Sequence, residues 1–209
     1  DNIVGVIGVS TDVTAAIQAM NSLSDYKRSQ SKDHKIAQRA HQAFLPTETP
    51  ELAGFEIGFL TKPSASIGGD YIHFDTCPNQ QSLGVTFSEM SGHGVSSSFL
   101  ATIFHTQLVE CLNIFTESIA QAFYEINLRV HDLFPEGRFA STFHTIIDAE
   151  SSSMRYVKAS IEPAILYRND GSTEVFDKGG PALGLLPSEL LNKKSYIEHA
   201  LPLHSGDTL

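Results

Sequence analysis

Apolar residues recur with two different spacings along this chain, and the change of spacing divides it in two. Residues 15–45 contain neither Pro nor Gly, and apolar positions such as Ile17, Met20 and Leu23 lie three or four residues apart. That spacing is typical of an amphipathic helix, and Pro46 predicts its end. From Phe55 onward, shorter segments alternate between apolar and polar positions as strands do. The sequence therefore predicts one long helix followed by a mixed domain.

The mixed domain is predicted to have strands before and after a pair of helices. In chain order, the predicted elements are a strand at 3–9, the long helix, strands at 55–60, 71–77 and 83–87, helices at 93–111 and 116–133, and strands at 141–147, 154–159, 164–167 and 196–203. Because strands and helices come in groups and do not alternate strictly, the fold class is predicted as an α+β layered sandwich. Four aromatic residues with helical spacing are predicted to lie in the core: Phe99, Phe104, Phe115 and Phe123.

Composition narrows the class of protein. Hydrophobic residues make up 41% of the chain and charged residues 18%, which is typical of a soluble globular protein. The 24 acidic and 14 basic residues give a net charge of −10, which argues against a general nucleic-acid or anionic-membrane partner. Cys77 and Cys111 form no CxxC motif and are expected in the core. The expected compartment is a reducing cytoplasm.

Two glycine-rich turns carry one acid each. Asp70 follows two glycines at the start of a predicted strand, and Glu89 ends another strand in Phe87-Ser-Glu-Met-Ser-Gly-His-Gly94. Glycine lets a backbone turn tightly or pass close to a partner. Carboxylates and backbone carbonyls are oxygen donors that suit Mg²⁺ or Mn²⁺, and water on such an ion can act as a nucleophile. The alternative interpretation is two ordinary turns.

Six segments follow one another in an order that resembles a known family. They are Ile36–Pro46, Lys62–Asp70, Phe87–Val95, Phe139–Thr142, Gly180–Leu185 and Ser205–Leu209. Together they resemble the PPM/PP2C-type serine/threonine phosphatases of the bacterial SpoIIE/RsbU branch, over residues 33–209. The resemblance implies a PP2C-like layered sandwich of antiparallel sheets flanked by helices, preceded by a linker helix.

The resemblance also implies a reaction and a set of site residues. Two Mn²⁺ or Mg²⁺ ions would bridge a water or hydroxide that attacks phosphoserine or phosphothreonine. Asp70 would be the first metal ligand, Glu89 would occupy the second ligand position, and Met90 would offer its backbone carbonyl. Asp70 and Glu89 are thus the expected catalytic residues. The implied substrate is a phosphorylated STAS-type protein, an anti-sigma-factor antagonist, with no nucleic-acid or membrane partner.

Several positions depart from the family pattern. Glu89 replaces an Asp and is one methylene longer, which would shift an octahedral Mg²⁺ site. His73 stands where an acid is often found, and Ala159-Ser-Ile-Glu-Pro163 replaces Ala-Gly-His-Pro. The late Thr-Asp-Gly ligand would follow Leu209. The alternative function is therefore a weakened or inactive module that binds a partner protein as a regulator, and this stretch of chain is expected to hold few or no ions.

The first residues suggest a further domain. Gly8-Val-Ser-Thr-Asp-Val-Thr14 resembles the last strand and exit motif of PAS sensor domains, and the alternative interpretation is an ordinary N-terminal strand. The predicted organisation is the end of a PAS-like sensor at 1–14, a linker helix at 15–45 and a phosphatase-like domain at 46–209 that is truncated at its C-terminus. The linker is interpreted either as an ordinary surface helix or as a signal-transmitting helix that forms a homodimer.

Overall fold

The computed structural model describes residues 5, 7–61, 67–76, 81–114 and 117–209. The chain divides into two compact units, residues 1–36 and 37–209. Most of the first unit is helix α1, which runs from Thr14 to Gln42 and ends in the second unit. The backbone N–H of Thr14 donates to the carboxylate of Asp12 at 2.9 Å, so this side chain satisfies one of the free N–H groups at the helix start.

The second unit contains two further helices and two antiparallel sheets. Its elements are β1 (Asp70–Thr76), β2 (Ser82–Met90), α2 (Val95–Ile114), α3 (Ile119–Leu133), β3 (Ala140–Asp148), β4 (Ser153–Ala159), β5 (Ala164–Tyr167), β6 (Thr173–Phe176), a 3-10 turn (Ser188–Leu190) and β7 (His199–Pro202). The strand order is β1-β2-β3-β4-β7 in the larger sheet, and β5 pairs with β6. The α+β prediction is confirmed. In the described ranges, no helix has the length and apolar character needed to cross a membrane.

The larger sheet has a different neighbour on each face. Its helix face, the side that packs on α2 and α3, contributes residues such as Tyr71, Met90 and Val157 to the main core with Phe104 and Phe123. Successive side chains of a strand point to opposite faces. The intervening residues Phe143, Met154 and Tyr156 accordingly form a second apolar cluster with Leu166 of β5 and Phe176 of β6. We call this second side the hairpin face.

Several sequence-based predictions of strands are wrong or incomplete. Residues 56–60 form no strand, and only an isolated bridge joins Leu52 to Phe55. Alternation makes a segment suitable for a strand, but a strand also needs a partner for its backbone groups. The last strand is shorter than predicted, and β6 was missed because three of its four residues are exposed and show no alternation. Gly5 and residues 7–9 have no regular structure, while the rest of the strand predicted at 3–9 lies outside the described residues.

The prediction that Phe99 lies in the core is also wrong. Its side chain is 61% exposed, whereas Phe104 and Phe123 are fully buried. Positions 99 and 104 are five residues apart, which places them about 140° apart around a helix, and only one side of α2 reaches the sheet. Cys111 is buried as predicted. Cys77 and Phe115 lie outside the described residues.

The buried side-chain amide of Asn127 in α3 holds the loop at residues 184–186, which follows the β5–β6 hairpin, against this helix. The Oδ1 atom of Asn127 accepts hydrogen bonds from the backbone N–H of Gly184 at 2.8 Å and from the hydroxyl of Tyr196 at 3.2 Å. Its Nδ2 donates to the carbonyl of Leu186 at 3.0 Å. Gly184 has a φ of +83°, a conformation that favours glycine. Asn127 is fully buried and fixes this loop through three hydrogen bonds.

Candidate metal centre

Asp70 and Glu89 are directly opposite each other in the antiparallel β1–β2 ladder. The backbone N–H of Met90 donates to the carbonyl of Gly69 at 3.1 Å, so the neighbouring Asp70–Glu89 pair is of the non-hydrogen-bonded type. In such pairs the Cα atoms are only about 4.5 Å apart and the side chains lie closest together. Both acids are exposed. The register therefore places two carboxylates side by side at one end of the hairpin face.

The backbone on either side of the acids is packed too tightly for a side chain at position 69. A Cβ atom on Gly69 would lie 2.9 Å from the carbonyl oxygen of Met90 and 3.0 Å from the Cβ of Ser97. Real Cβ atoms essentially never approach backbone oxygen so closely. Glycine thus lets the start of β1 lie against the Met90 carbonyl, which is the third oxygen donor expected at this site.

These donors fit a hard divalent cation. Two carboxylates and a carbonyl form an oxygen-only set, and Mg²⁺ is usually bound through one or two carboxylates together with water and substrate phosphate. In the parts of the chain that the structure describes, no cluster of three or more His, Cys, Asp or Glu side chains is arranged to hold a metal. The structure brings Asp70, Glu89 and Met90 together, and their role as metal ligands stays a prediction.

The turn that follows Glu89 and Met90 is tied to the beginning of β3. Ser91 donates its backbone N–H to the carbonyl of Phe139 at 2.9 Å, and its hydroxyl oxygen accepts from the Phe139 N–H, also at 2.9 Å. The Nη1 atom of Arg138 donates to the Ser91 carbonyl at 3.3 Å. Gly92 and Gly94 have φ values of +94° and +75°, which favour glycine. The turn is therefore defined by its own glycines and by contacts from the segment just before β3.

A buried imidazole lies next to Asp70. His41, in the last turn of α1, is only 5% exposed, and its Nε2 has no hydrogen-bond partner within the described residues. Burial lowers the pKa of His41, while the Asp70 carboxylate and a hydrogen bond to the Asp70 backbone raise it. The C-terminal end of α1 thus contacts the strand that carries the first acid.

Two further histidines and a tyrosine are packed on the helix face behind the acids. The Tyr71 hydroxyl and His105 Nδ1 share a hydrogen bond of 2.6 Å, and the rings of His73 and His105 are 5.3 Å apart. Burial raises the pKa of Tyr71 and lowers the pKa of both histidines. The Tyr71 and His73 rings thus pack against His105 on this face of the sheet.

His144 is the most strongly buried histidine of this region. Burial is the main cause that lowers its pKa to about 3, and the neighbouring His73 and Arg155 contribute less. Its Nδ1 shares a hydrogen bond of 2.8 Å with the Thr86 hydroxyl, and its Nε2 is buried without a partner among the described residues. His144 therefore stays neutral in the folded protein at physiological pH.

Sequence reasoning missed Arg138 and His41. Arg138 belongs to none of the six segments named above, and His41 lies in one of them, Ile36–Pro46, without having been singled out. Each residue reaches the acid-bearing strand or turn from a part of the chain distant in sequence. No local signal in the sequence identifies such contacts.

Comparison with known proteins identifies the relatives of this chain. The family described as Stage II sporulation protein E (SpoIIE) matches residues 79–209, which is more than half of the chain. The phosphoserine phosphatase RsbU of Bacillus subtilis (strain 168) is 21% identical over 194 residues. That match covers 93% of this chain but only 56% of RsbU, so the chain spans little more than half of this relative's length.

Solved structures share the fold. The SiaA-PP2C domain of Pseudomonas aeruginosa superposes with a TM-score of 0.68 at 16% identity, covering 87% of this chain and 70% of that one. RsbX, crystallised in complex with magnesium, gives a TM-score of 0.53 at 15% identity, with coverage of 71% and 67%. The layered arrangement of helices and antiparallel sheets is therefore the PP2C-like fold.

Proposed function

Because the chain belongs to the SpoIIE family and has the PP2C-like fold, we propose that it is a metal-dependent protein phosphatase that acts on phosphoserine or phosphothreonine in bacterial signalling. The observation that carries this proposal is the register that sets Asp70 directly opposite Glu89. A pair of exposed, adjacent carboxylates can contribute to binding a divalent cation together with water and substrate phosphate, and the relative RsbU is named a phosphoserine phosphatase.

Each element of the site has a distinct part in this proposal. Asp70, Glu89 and the Met90 carbonyl would hold Mn²⁺ or Mg²⁺, with two ions expected in the whole domain. When bound, such an ion activates water and neutralises phosphoryl charge. The β1–β2 ladder keeps the two carboxylates in one register, and Gly69 leaves room for the Met90 carbonyl beside them.

A direct assay tests the proposal. Purified protein is incubated with a phosphoserine peptide and increasing Mn²⁺, with EDTA and the variant Asp70→Asn as controls. We expect phosphate release that needs Mn²⁺ and is lost in the variant. No turnover by the unaltered protein at high Mn²⁺ would refute the enzymatic function.

The proposed setting is a switch in the bacterial cytoplasm. The substrate would be a phosphorylated STAS-type anti-sigma-factor antagonist, and a PAS-like sensor would act through helix α1. Ile17, Met20 and Leu23 are exposed on this helix, which supports a homodimer formed through it. Light scattering coupled to gel filtration tests the dimer: a monomeric mass at high protein concentration would exclude it.

One observation favours a second candidate, a non-enzymatic regulator. The described ranges bring together two carboxylates but no cluster of three metal-ligating side chains, and the second acid is the longer Glu89. A protein with this site would bind a phosphoprotein without releasing phosphate. Retention of an intact phosphoprotein in a binding assay, with no turnover at high Mn²⁺, would support this alternative.

A further inference from the structure

Arg138 is a half-buried cation beside the turn that follows Glu89. Its guanidinium lies so close to Gly92 that a Cβ atom at position 92 would collide with Nη1. The only hydrogen bond of the guanidinium in the described part of the chain joins Nη1 to the carbonyl of Ser91 at 3.3 Å. The absence of a side chain at position 92 is therefore what admits the guanidinium to this place.

The charge of Arg138 has no counter-ion in the described ranges. Arg129, Arg155 and Arg168 each form a salt bridge with a carboxylate, whereas Arg138 forms none with any described residue. The protein carries ten more negative than positive charges, so acidic partners are not scarce. A half-buried charge without an ionic partner is unfavourable, so an anion that approached Arg138 from outside would remove this cost.

A role in holding the turn in place does not explain why the Arg138 guanidinium lies here. Ser91 is already joined to Phe139 by two hydrogen bonds of 2.9 Å, and the glycines supply the turn conformation. A guanidinium has five N–H donors, of which one is used on Ser91. The remaining donors are available for planar, two-point contact with phosphate oxygens, the interaction for which arginine is best suited.

We infer that Arg138 binds the phosphoryl group of the substrate, a phosphorylated serine or threonine side chain of a protein, as that group meets the Asp70–Glu89 end of the sheet. This inference rests on the proposed function, because it assumes that the acids and the arginine serve one phosphate. Gly92, which has no side chain, leaves the space that the Arg138 guanidinium occupies.

The test compares three variants of the full chain with one control. Arg138→Ala removes the guanidinium, Arg138→Lys keeps the charge without two-point contact, and Gly92→Ala displaces the guanidinium. Arg129→Ala is the control, because Arg129 pairs with Glu110 on the neighbouring helices α2 and α3. The probes are inorganic phosphate, titrated calorimetrically in the presence of Mn²⁺, and a phosphoserine peptide for KM and kcat.

We expect Arg138→Ala to weaken phosphate binding and raise KM by roughly 10- to 100-fold, since a hydrogen bond to a charged group contributes about 1.5–3 kcal/mol and 1.4 kcal/mol is a factor of ten. Arg138→Lys should keep part of the affinity, and Gly92→Ala should resemble Arg138→Ala. In the two Arg138 variants, Mn²⁺ affinity and the melting temperature should match those of the control. Gly92→Ala should also lose stability, because a φ of +94° strains alanine.

Two results would overturn the inference. One is unchanged phosphate affinity in Arg138→Ala, and the other is a joint loss of Mn²⁺ affinity and thermal stability, which would identify a structural brace. If the unaltered protein releases no phosphate from the peptide, the proposed enzyme fails, but the calorimetric titration still decides the role of Arg138. Phosphate binding that depends on Arg138 would then support the inference, and no binding by the unaltered protein would refute it.

Discussion

Asp70 and Glu89 face each other across the β1–β2 ladder, one position beyond the hydrogen-bonded pair formed by Gly69 and Met90. Like charges directly opposite each other destabilise a sheet, and this pair is set in the closest type of cross-strand contact. A cation between them would turn that repulsion into attraction. This contrast makes the pair testable by stability measurements as well as by activity.

The variant Asp70→Asn should stabilise the metal-free protein while removing its response to metal. Loss of the like-charge contact should raise the free energy of unfolding by a few tenths of a kcal/mol. The Mn²⁺-dependent rise in melting temperature, which reports binding to the folded state, should disappear. Thermal melts with and without Mn²⁺ measure both effects.

Asp75→Asn is the matched control, because Asp75 is an exposed acid on the same strand with Gly84, not an acid, opposite it. It should keep the full Mn²⁺-dependent shift. If both variants lost the Mn²⁺-dependent rise in melting temperature equally, Mn²⁺ would be attracted by the overall negative charge of the strand and not by a specific site at Asp70.

Changing the length of the second acid should change the rate. Glu89→Asp shortens the side chain by one methylene and should allow a more regular octahedral site, with a rise in kcat of roughly tenfold or more, since misplacement by about 1 Å can cost about a hundredfold. Glu89→Gln removes the charge and should abolish turnover. Steady-state assays on a phosphoserine peptide at saturating Mn²⁺ measure this, and a Glu89→Asp variant slower than the unaltered protein would contradict it.

Stability should fall below neutral pH because of His144. Its pKa is about 3 in the folded protein and about 6.5 in an unfolded chain, so the unfolded state binds the proton first as the pH falls. The neutral imidazole makes its full contribution to the free energy of unfolding above about pH 6.5. This contribution is lost progressively as the pH falls toward 3. Well below pH 6.5, each further pH unit in this window should lower the free energy of unfolding by roughly 1 kcal/mol.

Urea denaturation at pH 7.5, 6.5 and 5.5 measures this dependence. In His144→Asn the slope between pH 6.5 and 5.5 should be shallower, even if the protein is less stable throughout. His93→Asn is the control, because His93 is exposed in the turn before α2. The same slope in His144→Asn and in the unaltered protein would exclude His144 as the cause.

Removal of the Asn127 amide should destabilise the loop that it holds. Asn127→Ala leaves the Gly184 N–H, the Tyr196 hydroxyl and the Leu186 carbonyl without their partner in a buried place. Buried polar groups that lose their partners cost about 1–3 kcal/mol each, so we expect a loss of about 3 kcal/mol. Equilibrium urea unfolding measures the change. Asn113→Ala, at an exposed position of α2, should have little effect, and equal losses in both variants would contradict this role.

Much of the fold follows from local patterns in the sequence. The predicted helices and most strands agree with α2, α3 and β1–β5 to within a few residues, because the periods of a helix and a strand are set by neighbouring residues. The failures have a common reason. Residues 56–60 alternate but have no ladder, and Phe99 has helical spacing but points away from the sheet. In both cases the sequence pattern shows that a segment could form a strand or that a residue could be buried. Whether this happens depends on a neighbouring element that supplies hydrogen bonds or packing.

The candidate site shows the same division. The sequence by itself determined that Asp70 and Glu89 are acids at the ends of strands beside glycines, and that the chain resembles one phosphatase family. Only the tertiary structure decided that the two acids are direct cross-strand partners, that Arg138 lies over Gly92, and that His41 adjoins Asp70. Such contacts join residues far apart in the chain. They depend on register and on which elements pack together, and a shift of one residue in the β1–β2 ladder would end the direct pairing of the two acids and send one strand's side chains to the other face.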